Sequence, residues 1–205
     1  FPKNLLIEND SGRAEVLLKG SAVENLSLIL RNGDIIKELR DEVDAYEYDL
    51  TIIGGSAKRS MSHDMIQYIN SSIFVVNNFN KTINYKILLA VDDSPGTKKA
   101  VKYGVRVAQA FGIKVQIITV NEDENFKEVN KKSSENASKM MRRCGVESET
   151  KFEIGKPVDK IIEIAGEDHI IIMGASTQSP IAKFFVGSKP LNVLQNSNCP
   201  ILIVK

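Results

Sequence analysis

The chain has no tryptophan, two histidines, two cysteines and six prolines in 205 residues, with a net charge of only +1. Each shortage excludes something. Cys144 and Cys199 are too few for a disulfide-stapled scaffold and lack metal-ligand spacing. Two thiols in a reducing compartment is the expectation, with a single bridge left open. His63 and His169 belong to no ligand pattern, which argues for surface or interface residues over a metal centre. Lys and Arg number 27 against 26 Asp and Glu, so no basic footprint marks nucleic acid or an anionic membrane as partner. The densest basic pairs, Lys131-Lys132 and Arg142-Arg143, read as a solvated helix face. No apolar run approaches the ~18 residues of a membrane span. The N-terminal stretch shows no charged-then-apolar signal pattern, so a cytoplasmic protein is expected. What remains, 42% hydrophobic and 26% charged, is ordinary globular composition, long enough for one large or two small domains.

From residue 84 onward strand and helix signals alternate. Residues 86–91 (KILLAV) and 115–120 (VQIITV) are short continuous apolar runs, as expected of strands covered on both faces. Ser94 and Pro95 read as a helix cap and first helical residue. Val101, Gly104, Val105, Ala108 and Phe111 then recur at helical spacing up to Gly112. A polar helix is expected over about 126–143, either a lid or an exposed amphipathic element. A strand follows over 149–154, a helix opening at Pro157, a strand over 170–173, a helix over 190–196 and a last strand over 201–204. Such alternation predicts an α/β fold with an open parallel five-stranded sheet sandwiched by helices.

The stretch 1–80 carries a worn version of the same unit. Residues 3–11 line up with 86–94, 32–39 with 154–161, 50–54 with 170–174 and 73–76 with 201–204. Between the first and second blocks the offset grows from 83 to 122, so a span the length of a strand and a helix is missing. Between the third and fourth it grows from 120 to 128, which shortens a glycine loop. The domains expected are thus a degenerate half over 1–80 and a complete one over 84–205. The run from Ile73 to Val76 is expected to pair beside the run from Ile201 to Val204, covering two apolar edges. A homodimer stays open beside that internal pairing.

Near the C-terminus, Gly174 ends a strand, Thr177 follows after two residues, and Gly187-Ser188 follows after nine more. Glycine lets a backbone approach a phosphate, and free N–H groups at a helix start favour negative charge. A turn requirement and simple capping by Ser188 are the plainer explanations of the same residues.

KILLAVDDS, IIIMGAS, VGS and NCPILIVK together resemble the universal stress protein family over residues 84–205, and the stretch 1–80 resembles a truncated member. The resemblance implies a five-stranded parallel α/β sandwich and, in one branch, ATP held through a Gly-x2-Gly-x9-Gly-Ser/Thr loop. It implies Asp92 near the ribose, the backbone of Val120 near adenine, and Gly174, Gly187 and Ser188 around phosphate. Thr177 stands where the second glycine belongs; at a positive φ it would be strained by about 1–2 kcal/mol. Adenine nucleotide binding (ATP, ADP or AMP, with Mg²⁺ accompanying ATP) is therefore the expectation, and a nucleotide-free interaction scaffold is the alternative. No catalytic residue is evident, and hydrolysis would be slow at most. A phosphoacceptor receiver fits less well, because no Asp ends the strand before Gly155.

Overall fold

The computed structural model describes residues 15–17, 27–29, 31–54, 59–76, 84–123, 127–175 and 188–205. The strand expected over 3–11 lies outside them. β1 (Glu15–Leu17) and β2 (Ser27–Ile29) form an antiparallel ladder of their own that the hydropathy pattern did not indicate. Then come α1 (Ile35–Tyr46), β3 (Leu50–Gly54), α2 (Arg59–Tyr68) and β4 (Ser72–Val76). The later stretch runs β5 (Lys86–Ala90), α3 (Pro95–Phe111), β6 (Val115–Asn121), α4 (Lys127–Arg143) and β7 (Ser148–Ile154). It ends with α5 (Pro157–Ala165), β8 (His169–Gly174), α6 (Ser188–Asn196) and β9 (Ile201–Val204).

Among the described residues seven strands share one sheet in the order β3-β4-β9-β8-β5-β6-β7. The last five pair in parallel, as do β3 and β4. The two groups meet antiparallel, with Ile73 opposite Ile203, Phe74 opposite Leu202 and Val75 opposite Ile201. The sheet is therefore mixed: the five expected parallel strands carry two more across an antiparallel seam. β5 lies between β6 and β8, so the strand order reverses beside β5.

Local chemistry sets the helix limits. Asp34 caps α1, its side chain accepting from the Lys37 N–H at 2.9 Å. Pro95 and Pro157 occupy first-turn positions of α3 and α5, and Gly112 closes α3 with φ +64°.

Two apolar layers clothe the sheet. On one face Val43, Ile66, Ile161 and Val193, from α1, α2, α5 and α6, pack with Ile73, Leu88, Ile171 and Ile201. On the other, Val101 and Ala108 of α3 and Met141 of α4 pack with Leu89, Ile117, Ile172 and Val204. One expectation needs correction. Phe111 is 68% exposed, although it carries the helical spacing of the buried face of α3. The polar helix α4 is the amphipathic element of the two expected alternatives: it lies against β6 and β7, buries Ser134, Ala137 and Met141, and leaves Lys131, Lys132, Glu135 and Lys139 exposed.

Candidate functional site

Open α/β sheets bind ligands beyond the carboxyl ends of their strands, where the strand order reverses. Here that place is the cleft above β5, β6 and β8. Ala90, Val91 and Asp92 line it at the end of β5, Val120 at β6, Met173 and Gly174 at β8. Thr97 of α3, Pro157 and Val158 of α5, and Lys189 and Pro190 of α6 complete its walls.

Asp92, Val120 and Gly174 thus converge on one cleft. Ser188 is the first residue of α6, whose next two residues line the same cleft. Thr177 and Gly187 lie outside the described residues.

Asp92 is held firmly. Its Oδ1 accepts from the Ser94 N–H at 3.0 Å, the Ser94 hydroxyl at 2.5 Å and the Thr97 hydroxyl at 2.7 Å. The Asp92 N–H in turn donates to the Thr97 oxygen at 3.2 Å. Three donors on one carboxylate oxygen fix its rotamer, and bonds to a charged acceptor are the stronger kind. This corrects the role expected of Ser94. It stands at the N-cap of α3, but its hydroxyl makes no cap bond to the helix and serves Asp92 instead.

Gly174 proves to be a packing glycine. A Cβ there would sit 2.4 Å from the carbonyl carbon of Gly96, and a Cβ on Gly96 would sit 3.0 Å from the Ala175 oxygen. The first turn of α3 and the end of β8 touch backbone to backbone, which only glycine on both sides permits. The Ala175 N–H donates to the Val204 carbonyl at 2.7 Å, so that amide is already committed to the sheet. Gly174 therefore shapes the cleft floor by letting α3 approach, whatever it does for a ligand. Gly96, Thr97, Pro157 and Lys189 were not singled out from the sequence as site residues. Gly96 and Thr97 had one signal, their place in the turn directly after Asp92.

The cleft encloses about 50 Å³. That holds a water or two; pockets for drug-sized ligands run to roughly 300 Å³ or more.

Among the described residues no group of three or more His, Cys, Asp or Glu could hold a metal ion. His169 lies at the other end of β8 and is buried, against the expectation of a surface or interface residue. Its Nδ1 lies 3.0 Å from the Ala165 carbonyl and 2.7 Å from Asp168 Oδ1, two acceptors that require Nδ1 to carry the proton. Burial pushes the Asp168 carboxyl up, but its bonds and charge contacts with Lys86 and His169 outweigh that and hold it below the usual range. The side chain of His63 is outside the described residues. Both cysteines are free thiols, and burial pushes that of Cys199 up. No described helix is long and apolar enough to cross a membrane.

Known proteins share the fold of this chain. A universal stress protein of Methanocaldococcus jannaschii is 26% identical over 138 residues, covering 58% of this chain and 81% of that protein. The solved structure of a universal stress protein from Archaeoglobus fulgidus DSM 4304 shares the fold over 86% of this chain and 67% of its own, with a TM-score of 0.63 at 18% identity. Another universal stress protein, solved in complex with cAMP, is 26% identical with a TM-score of 0.50 and covers 60% of this chain and 97% of its own. The universal stress protein family itself matches residues 84–205. With the family matching more than half of its length, and the sheet and cleft built as described, this chain belongs to the universal stress protein family.

Proposed function

We propose that this chain is a stress-response protein that binds an adenine nucleotide, AMP, ADP or ATP, in the cleft above β5, β6 and β8. The observation that carries the reading is the convergence of Asp92, Val120 and the start of α6 on one cleft at the reversal of strand order. A relative solved with cAMP supports a nucleotide of this class. In this reading the apolar wall of Val120 and Val158 takes the base, Asp92 accepts from the ribose, and Gly187 and Ser188 with Thr177 stand at the phosphates. Mg²⁺ would arrive on the triphosphate, since Asp92 already spends one oxygen on Ser94 and Thr97. The protein acts as a binder or sensor, because no described side chain at the cleft is placed to activate water. It works in the cytoplasm, where two free thiols are at home.

The same reading takes residues 1–80 as a degenerate copy of the 84–205 domain that binds no nucleotide. Its service is to pair β4 with β9 and cover that edge, with chain-to-chain pairing as an addition.

The narrow cleft favours a second reading, a nucleotide-free scaffold of the same family. Calorimetric titration with AMP, ADP and ATP separates the two. Binding of any of them below millimolar concentration, lost in Thr97→Val together with its hold on Asp92, supports the nucleotide site. Absence of binding by all three, in wild type and in Thr177→Gly, supports the scaffold.

A further inference from the structure

We infer that Lys189 sets the preference of this cleft for phosphorylated over unphosphorylated nucleosides, an inference that rests on the nucleotide reading above. Among the described lining residues only Asp92 and Lys189 are charged, and most of the rest of the wall is aliphatic. The two charges do not neutralise each other's work. Asp92 is turned onto Ser94 and Thr97, and no ion pair among the described residues engages Lys189. An exposed ammonium at the rim of an apolar cleft attracts whatever anion enters it.

Its place on the helix adds to this. A cation in a first turn stands against the partial positive charge of the helix start, where carboxylates are the stabilising choice. α6 has no acidic residue in its first turn to offset Lys189. A residue that works against its own helix fits a site where something other than the fold sets the choice. The glycine-loop motif ends at Ser188, so Lys189 adds a charge the motif does not contain. Adenosine would be indifferent to it, AMP would gain one favourable contact, and ATP would gain most because its charge is greatest.

The test is calorimetric titration of the full chain, wild type, Lys189→Met and Lys189→Arg, with adenosine, AMP and ATP at low and high salt. Lys189→Met keeps most of the aliphatic stem and removes the charge; Lys189→Arg restores the charge. The expected result is a loss of about tenfold in ATP affinity and about threefold for AMP in Lys189→Met, with adenosine unchanged. Lys189→Arg should stay within about twofold of wild type, and the salt dependence of ATP binding should fall in Lys189→Met. Equal weakening of adenosine and ATP, or unchanged ATP affinity in Lys189→Met, overturns the inference and leaves the nucleotide site standing. Wild type that binds none of the three overturns the nucleotide reading and this inference with it.

Discussion

β3 and β8 hold aligned places in the two stretches of the chain, yet their surroundings differ. β8 is buried from His169 through Met173, whereas β3 buries only Thr51 and Ile53 and leaves Leu50, Ile52 and Gly54 exposed. The difference lies in how closely helices pack on each strand. β8 has α3 on one face and α5 with α6 on the other, and a strand covered twice reads as a continuous apolar run. β3 shares its inner face with α1 and α2, while on its outer face Leu50 and Ile52 stay exposed. Ile52 is 63% exposed there, where its aligned residue Ile172 is fully buried. Similar sequence has been placed in two environments, and the environment decides what each residue contributes.

The sharpest way to break this contrast uses the aligned glycines. Gly174→Ala drives a Cβ into the Gly96 backbone and should destabilise the protein by about 3–5 kcal/mol. Gly54→Ala meets nothing within 4 Å and should stay within about 0.5 kcal/mol. Denaturant midpoints of the two variants check this, and equal losses would show that the positions are packed alike. The aligned isoleucines give a somewhat smaller gap. Ile172→Ala should lose about 3 kcal/mol by the same measurement, whereas Ile52→Ala should lose less than about 1 kcal/mol.

The smallest effect tests the seam. After β9, Lys205 reaches back so that its ammonium donates to the carbonyls of Ile66 and Ile69 at the end of α2, and its N–H donates to the Ser72 hydroxyl at 3.3 Å. Burial lowers its pKa from 10.5 to about 8. Below about pH 8 both folded and unfolded chains hold this proton, and it adds no slope. Between about 8 and 10.5 the unfolded chain holds more of it, so the group makes stability rise with pH over that window. Lys205→Met should remove that rise relative to wild type in urea midpoints taken across the window; parallel curves would mean that Lys205 is not buried at the seam.

Much of the later stretch was legible in its residues. Continuous apolar runs marked β5, β6, β8 and β9, and Pro95 and Pro157 marked helix starts to within a residue. Asp92 and Val120 were named through the family resemblance, and with Gly174 they stand where apolar runs stop. The bond from Ser94 to Asp92 was not legible. A serine before a proline fits a cap equally well, and the choice between helix amide and carboxylate depends on geometry within one turn. Gly96 was hidden for a different reason, since its partner Gly174 lies far along the chain, beyond two further strands and two further helices. Phe111 carried the right helical spacing and still faced water, because periodicity names a face without saying how far the covering layer extends.

By itself the sequence determined the alternation of strands and helices, the α/β class and which strand ends carry polar groups. Those follow from propensity, periodicity and capping, which act over a few residues. Only the tertiary structure decided that β4 and β9, expected to pair, meet antiparallel, and it alone decided the contact of Gly96 with Gly174, the narrowness of the cleft and the exposure of Ile52. Each of these depends on which distant segment arrives at a given face, and short-range preferences carry no information about that.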